Sequence, residues 1–413
     1  MGIMFWLRDY RISRKKFAAA TLLTSGTLAW FFLLNSFDQE GLTFFQSLMP
    51  NDLFLAYICQ ILFYSFSVFW AVVGSFFGKK LNRRIFLSVW VLTGVFTTIS
   101  LPFIGGTAIC VLSSIFLGLS LGLGLPSSLS FISENTRADE RGRVSGIIIF
   151  LSFIMAFCLM IFARIFNLGL VETILLAALL RSSSLLAFFI DGIVEKTEGW
   201  QPRYKGSYRT FLFYLFPWVL FNIASGLAWA LIPTQDPAFA IAYSNGNTLR
   251  YICIAIFGLV SGHIADRYGR KIIISLGLVM LGLGFLLLGF SMSPESVLVY
   301  LTISGIAWGS FFVVFIAVPG DLSDYGSRDR FYALGTMLPL AILLSLYSAP
   351  PAFLSGYSPA LISQFLSLIL FLCIIPIMRA EETLKEGLIY DRKVREYLHQ
   401  LGKIIKKSKE EEN

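Results

Sequence analysis

The chain has 413 residues, of which 56% are hydrophobic and only 14% are charged, and its formal net charge is +8. Soluble domains hold roughly 25% charged residues, so this chain has too few to cover a water-facing surface. The composition excludes a water-soluble protein and indicates an integral membrane protein. The positive charge then belongs to loops beside anionic headgroups and does not indicate nucleic-acid binding.

Apolar runs of about 20 residues, the length that crosses a bilayer, recur along the chain. We predict twelve spanning helices and therefore an all-α membrane protein. The predicted spans are 17–35, 53–77, 85–104, 107–133, 144–164, 168–191, 211–232, 249–265, 272–292, 297–318, 331–350 and 358–378.

Basic residues are concentrated in every second loop. The N-terminal segment and the loops after even-numbered spans hold clusters of Arg and Lys, whereas the opposite loops hold only Arg164 and Arg250. Cations concentrate on the cytoplasmic side of membrane proteins. We therefore predict a multi-pass protein of the plasma membrane with both termini in the cytoplasm.

The polarity of the chain divides it into five segments. We predict a basic cytoplasmic N-terminal tail (1–16), a first six-helix bundle (17–194), a polar cytoplasmic linker (195–209), a second six-helix bundle (210–378) and a charged cytoplasmic tail (379–413). Apolar residues recur at helical spacing in the last tail. Either an amphipathic helix on the inner leaflet or a solvated tail would explain them.

A charged hairpin interrupts the apolar runs of the second half. Its sequence from 262 to 271 is GHIADRYGRK, and the pattern G-x-x-x-D-R-x-G-R-K is formed by Gly262, Asp266, Arg267, Gly269, Arg270 and Lys271. Glycines let two helices approach closely and turn tightly. A charged turn between two apolar runs must lie at a membrane surface.

The two halves also repeat one spacing of charges, in which an acid is followed seven and nine residues later by arginines. The residues are Glu134, Arg141 and Arg143 in the first half and Asp321, Arg328 and Arg330 in the second, at a constant offset of 187. Gly74 opens the first-half loop 188 residues before Gly262. This duplication indicates two six-helix halves related by an axis along the membrane normal.

Twelve spans, the 262–271 hairpin and the 134–143 segment resemble the major facilitator superfamily of secondary transporters, over residues 17–378. The resemblance implies two pseudo-symmetric six-helix bundles and alternating access, but no particular solute, because this fold carries many. The first-half copy of the hairpin departs from the pattern. Gly78 stands at the acid position, Leu81 at the glycine and Asn82 at the arginine.

The resemblance also assigns the hairpin acid to a cytoplasmic gate. It implies that Asp266 meets the start of span 5 near Arg143, with Glu134 and Arg141 completing the cluster. A carboxylate at a helix N-terminus contributes about 0.3–1 kcal/mol when exposed and about 2 kcal/mol when partly buried. The alternative is that these charges only anchor loops. Because Gly78 replaces the first-half acid, we predict an asymmetric gate with one strong charged contact.

In this family spans 1, 4, 7 and 10 line a central cavity, with spans 2, 5, 8 and 11 at its sides. The resemblance therefore implies a lining of aromatic and amide groups. Our candidates are Trp30, Gln60, Asn222, Trp229 and Trp308. Such groups suit a neutral or weakly amphipathic solute, although packing alone would also explain the aromatic residues.

Charged groups at membrane depth are costly and usually functional. Arg181 is the one clear charge deep within a predicted span. A transport role would explain it, and so would snorkelling or a structural pair with Glu172, a serine or a carbonyl. Asp38 and Asp236, near the outer ends of spans 1 and 7, are candidates for ion coupling; the alternative is two solvated loop acids.

The predicted spans contain no nucleophile paired with a base and no cluster of metal ligands, and the chain has only two histidines. We therefore predict no enzyme activity, no metal and no cofactor. We expect a monomer whose partners are the bilayer and a small-molecule solute. A non-transporting sensor or receptor on the same fold and a drug or lipophile efflux pump stay open as alternatives.

Overall fold

The computed structural model describes residues 12–35, 44–49, 52–78, 81–103, 107–190, 208–232, 236–324, 326–347 and 356–384, with residues 394, 397 and 401. Twelve helices in this part are long and apolar enough to cross a membrane, which confirms the predicted number. In chain order they are α1 (Arg14–Asn35), α2 (Leu53–Phe77), α3 (Arg83–Ser100), α4 (Thr107–Gly122 and Leu125–Asn135), α5 (Ala138–Ile165), α6 (Leu170–Ser183), α7 (Tyr208–Leu231), α8 (Pro237–Tyr268), α9 (Arg270–Phe290), α10 (Pro294–Leu322), α11 (Arg328–Tyr332 and Leu338–Tyr347) and α12 (Pro359–Leu372 and Ile374–Arg379).

Polar residues at the helix starts explain several of these bounds. The carboxylate of Asp52 accepts from the N–H of Leu55 at the start of α2. The amide oxygen of Asn82 accepts hydrogen bonds from the backbone N–H groups of Arg84 and Ile85 at the start of α3. Side-chain oxygens at this position satisfy N–H groups that have no partner inside the helix. These caps fix where a helix leaves the surface and enters the apolar interior.

Helix α8 is much longer than predicted. It begins at Pro237, after the cap Asp236, and runs for 32 residues, whereas we predicted a span of 249–265. At 1.5 Å per residue it is about 48 Å long. Arg250, the second residue of the predicted span, therefore lies in the interior of this helix, and Arg181 is not the only arginine inside a spanning helix.

Breaks in two helices adapt them to their neighbours. Helix α4 is interrupted at Leu123 and Gly124, and a methyl group added at Gly74 of α2 would overlap the carbonyl of Leu123. Helix α11 widens into a π-helical turn over Ala333–Met337, where Gly335 accepts a hydrogen bond from Nε1 of Trp218 at 2.8 Å. Gly74 thus permits close packing within the first half.

Helices α5 and α8 run antiparallel along the boundary between the two halves, and we call their contact the α5–α8 seam. Gly142 faces Gly262 at the end of the bundle that carries the 262–271 hairpin, which we call the hairpin end. Phe153 packs on Tyr251 further along, with ring centroids 5.3 Å apart. At the far end Arg164 donates to hydroxyl groups of α8. The seam therefore extends along the full length of α5.

Candidate functional site: charged gate and central cavity

Asp266 lies in the seam at the hairpin end, and only 2% of its surface is exposed. Its carboxylate accepts hydrogen bonds from the backbone N–H groups of Gly142 and Arg143, each at 2.8 Å. Arg143 adds a weaker contact from Nε at 3.3 Å, and Arg270 donates from Nη1 at 2.7 Å. Both backbone donors lie in the second turn of α5, which begins at Ala138. The structure thus has the contact that the resemblance implies.

Four glycines bring the two backbones together beside Asp266. Gly142 and Gly146 of α5 face Gly262 and Gly258 of α8. A methyl group at Gly262 would overlap the carbonyl of Gly142, and one at Gly146 would lie 2.7 Å from the carbonyl oxygen of Gly258. Small residues four positions apart on both helices permit this approach. The glycines let the Asp266 side chain reach backbone donors on the other half.

Asp321 of α10 makes a second link between the halves. It forms an ion pair with Arg141 of α5 and another with Arg270, whose Nε lies 3.2 Å from Oδ2 of Asp321. Arg141 also donates to the carbonyl oxygens of Ser133 at 2.9 Å and Thr136 at 3.1 Å. The three charged side chains are almost fully buried. Such a pair is held by its hydrogen bonds, because desolvation opposes the Coulomb attraction.

Glu134, which we expected to complete the cluster, forms an ion pair with Arg83. Its carboxylate accepts two hydrogen bonds from Arg83 of α3, at 2.6 and 2.8 Å. This bidentate geometry keeps Glu134 within the first half. Arg83 precedes Arg270 by 187 residues, the same offset that separates Glu134 from Asp321, so the two ion pairs are equivalent. Arg83 is therefore the counterpart of Arg270, a role that we had given to Asn82.

The second boundary between the halves lies between α2 and α11. Its acid is on α11 and not on the hairpin that follows α2. Gly78 follows α2 at the position that we assigned to the hairpin acid, and Asp329 stands at the start of α11, 187 residues after Gly142. A Cβ atom on Gly78 would lie 3.3 Å from Oδ2 of Asp329. Arg328 is 4% exposed, and Arg330 stacks on the ring of Phe76 at 4.7 Å. The two boundaries therefore differ in which helix carries the acid: α8 carries Asp266 at the first boundary, and α11 carries Asp329 at the second.

The segment after α12 also joins the cluster, which the sequence did not reveal. Glu382 accepts from the backbone N–H groups of Arg270 at 2.8 Å and Lys271 at 3.1 Å, so it caps α9. The positive φ of Gly269 (106°) turns the chain tightly between α8 and α9. Lys271 donates from Nζ to the carbonyl of Met378 in the last turn of α12 and to that of Ala380 just after it, and Arg267 stacks on Tyr268 with 5.4 Å to the ring centroid. No local motif marks Glu382, because its partners lie over 100 residues away.

A cavity of about 70 Å³ lies between the halves. Its wall combines aromatic and aliphatic side chains with a few polar groups. The lining residues are Phe31, Phe32, Asn35, Phe153, Ser225, Asn247, Arg250, Tyr251, Ile254, Trp308, Phe312, Leu340, Leu343 and Leu344. They come from helices of both halves, so a solute in the cavity would contact both.

Of the cavity candidates from the sequence, Trp308 lines this space, and two others lie elsewhere. Trp30 is fully buried in the first half and donates from Nε1 to Thr98 at 2.9 Å. Arg181 lies between the rings of Trp30 and Trp90, at 5.3 and 4.3 Å from their centroids. Its guanidinium donates to the hydroxyl of Thr27 and to a backbone carbonyl of α4. This position inside one half favours the structural interpretation of Arg181.

The amide candidates lie next to the cavity but not on its wall. Gln60 donates to the hydroxyl of Tyr64, which donates in turn to the cavity residue Asn35 at 2.6 Å. Asn222 is fully buried and donates to the carbonyl of Trp218 at 2.7 Å. The side chain of Trp229 is outside the described residues.

Of the two acids proposed for ion coupling, Asp236 belongs to the described part of the chain. Asp38 falls outside the described residues. Asp236 is exposed, and its carboxylate accepts from the N–H of Ala238 at 2.8 Å at the start of α8. This is the geometry of a helix cap at the far end of the bundle.

Residues 240–409 match the family profile of the Major Facilitator Superfamily. A probable 4-methylmuconolactone transporter from Cupriavidus pinatubonensis (strain JMP 134 / LMG 1197) is 30% identical over 134 residues. That match covers 29% of this chain and 31% of the relative, so the chain spans about a third of that relative's length.

Solved structures of transporters have the same fold. The human organic anion transporter MFSD10 (TETRAN) has a TM-score of 0.66 and 16% identity, over 88% of this chain and 99% of its own. A bacterial homologue of the iron transporter ferroportin, outward-facing with soaked iron, has a TM-score of 0.65 and 16% identity, over 89% of this chain and 99% of its own. The proton:xylose symporter XylE, bound to 6-bromo-6-deoxy-D-glucose, has a TM-score of 0.64 and 14% identity, over 89% of this chain and 96% of its own. These likenesses show the fold alone. The family profile thus matches the 240–409 segment, and the solved structures show that this multi-pass membrane protein has the fold of major facilitator superfamily transporters.

Proposed function

We propose that the chain is a secondary active or facilitative transporter that moves a small organic solute by alternating access of its central cavity. The observation that carries this proposal is the pair of links at the hairpin end. Asp266 binds the backbone of α5, and Asp321 binds Arg141, so both halves are held together on one side of the cavity. A small solute can bind a cavity closed on one side and leave when the opposite side opens.

The links at the hairpin end are strong enough to hold one state and weak enough to exchange. Hydrogen bonds to charged groups contribute about 1.5–3 kcal/mol each. Two populated states that differ by a few kcal/mol are what a solute can shift by binding. We therefore propose that the 17–194 and 210–378 segments move as two bundles about the cavity.

We propose that the hairpin end faces the cytoplasm of the plasma membrane. The basic loops after the even-numbered spans support this orientation, because cations concentrate on that side. The described conformation is then closed toward the cytoplasm. Both termini would also lie on that side, since the number of spans is even.

The relatives support an organic solute. One relative is named for 4-methylmuconolactone, and one structural neighbour is an organic anion transporter. The aromatic wall of the cavity suits the apolar body of such a molecule. We propose solute flux and not signalling, because both halves contribute to the cavity wall.

Uptake into proteoliposomes tests the proposal. The purified chain would be reconstituted, exposed to 4-methylmuconolactone and a panel of small organic acids, amides and sugars, and the vesicle contents measured by mass spectrometry. We expect one chemical class to accumulate faster than in protein-free vesicles, and Asp266→Asn to change the rate. Saturable binding with no flux in any class would identify a sensor or receptor and would refute transport.

A further inference from the structure

We infer that Arg250 binds the carboxylate of a small organic anion whose apolar body lies against the aromatic wall of the central cavity. The inference rests on the proposed transport function and specifies its substrate class. It depends on the position of one arginine, on two polar groups of the same wall that have no hydrogen bond in the described part of the chain, and on the aromatic rings of that wall.

Arg250 lies within a helix long and apolar enough to span the membrane, and it lines the cavity. It is the fourteenth residue of the 32-residue helix α8, and it lines the cavity with Asn247 and Tyr251 of the same helix. An arginine in this position costs several kcal/mol unless its charge is compensated. Among the described residues, however, no hydrogen bond or ion pair from its guanidinium is found, and its buried Nε has no acceptor.

Arg181 shows how this chain compensates an arginine that is structural. The guanidinium of Arg181 donates to a hydroxyl and a carbonyl and lies between two indole rings. Arg250 has no comparable set in the described part of the chain, and its side chain is half-buried at a cavity. The difference indicates that the partner of Arg250 is a molecule that enters the cavity.

Two further polar groups on the cavity wall lack partners. Within the described residues, Oγ of Ser225 in α7 and Oδ1 of Asn247 in α8 are buried without a hydrogen bond. A hydroxyl can donate to a carboxylate, and the side-chain amide of Asn247 can present either N–H or oxygen when it rotates. No carboxylate occurs among the described residues of the wall, so Arg250 makes this lining positive. An arginine presents paired N–H groups that match the geometry of a carboxylate.

Much of the rest of the wall is made of aromatic rings. Phe32 packs on Phe153 at 4.3 Å between centroids and on Phe312 at 5.5 Å, and these rings join Tyr251 and Trp308 in the wall. Such a surface favours an unsaturated ring or a short branched chain. A carboxylate beside Arg250 would leave the apolar body facing these rings.

The size of the cavity limits the solute. The volume of about 70 Å³ is roughly half of the ~150 Å³ that holds benzene in an engineered protein cavity. A ring-sized solute therefore needs the cavity to widen, which separation of the far ends would provide. We infer a small monocarboxylate, with at most about one ring.

Binding of benzoate and benzamide, which share a ring and differ in charge, tests the inference. Isothermal titration calorimetry on the full chain in nanodiscs would compare wild type with Arg250→Gln, Arg250→Lys and Arg164→Gln. Arg164 is the matched control, because it is an exposed arginine near the far end of the same seam and does not line the cavity. Thermal unfolding of each variant shows whether it is folded.

We expect wild type to bind benzoate at least roughly tenfold more tightly than benzamide, since one charge-assisted hydrogen bond accounts for about that factor. Arg250→Gln should remove this preference, Arg250→Lys should keep part of it, and Arg164→Gln should leave the ratio unchanged. Equal binding of both probes by wild type, or an unchanged ratio in a folded Arg250→Gln variant, would overturn the inference.

The failure of this inference can be told apart from failure of the proposed function. If the chain transports another class in the proteoliposome panel while benzoate and benzamide bind equally, Arg250 is not a carboxylate site and transport stands. If benzoate binds through Arg250 but no solute crosses, the chain is an anion receptor and transport fails.

Discussion

Replacing Asp266 with asparagine tests the charged gate with the least change in shape. Asparagine keeps one acceptor oxygen, so it can accept from either Gly142 or Arg143, but its amide N–H₂ faces the other donor. It also loses the ionic contact with Arg270, which Asp321 continues to neutralise. Since hydrogen bonds to charged groups contribute about 1.5–3 kcal/mol, we estimate a loss of about 2–4 kcal/mol for the closed hairpin end.

This loss corresponds to a population shift of roughly 30- to 1000-fold, because each 1.36 kcal/mol is a factor of ten. Spin labels at the exposed positions Arg137 and Tyr268 lie on opposite sides of the seam. We expect electron paramagnetic resonance to show one short distance in the wild type and a second, longer distance in Asp266→Asn. Asp52→Asn, which alters an exposed helix cap elsewhere, serves as the control and should keep the short distance. An unchanged distance distribution in Asp266→Asn would refute the gate.

Three further predictions concern the glycines and the buried arginine. Gly262→Ala should open the same seam, because its methyl group overlaps the carbonyl of Gly142; a retained short distance between the spin labels would contradict this packing. Gly78→Asp supplies the acid that the first-half hairpin lacks, yet it should weaken the second boundary by about 1–4 kcal/mol through repulsion from Asp329. Gly78→Asn is its uncharged control, and a higher melting temperature for Gly78→Asp than for Gly78→Asn would count against the assignment. Arg181→Lys should lower the melting temperature, since lysine cannot hold two rings and two acceptors, and should leave the benzoate-to-benzamide ratio unchanged.

The charged cluster at the hairpin end was largely predictable because its charges repeat at a fixed spacing. The offset of 187 residues pointed to Asp321 and Arg141, and the hairpin pattern pointed to Asp266. The choice of partners was less predictable, since Glu134 and Asp321 have equivalent positions, yet Glu134 pairs with Arg83 of its own half and Asp321 with Arg141 of the other. The packing of helices that are distant in sequence decides which arginine each acid contacts, and the spacing of residues along the chain does not predict that choice.

The cavity was less predictable because one helix was misjudged. Residues 244–248 are polar and contain Gly246, so they indicated a loop, although the structure has them inside α8. Close packing explains the glycine at position 246, because a Cβ atom there would lie 2.7 Å from a methyl group of Leu301. The error placed Arg250 at the outer end of its predicted span, so Arg250 was not among the cavity candidates. Trp30 was favoured by symmetry, but its indole faces the interior of one half.

The central claim is that two bundles rock about the cavity, and paired distances at both ends of one sample test it most directly. Labels at Arg137 and Tyr268 report the hairpin end, and labels at the exposed positions Phe54 and Tyr357, which precede or begin α2 and α12, report the far end. Across wild type, Asp266→Asn and Gly262→Ala, we predict that the far-end distance shortens as the hairpin-end distance lengthens. Distances that stay fixed, or that lengthen together at both ends, would contradict alternating access.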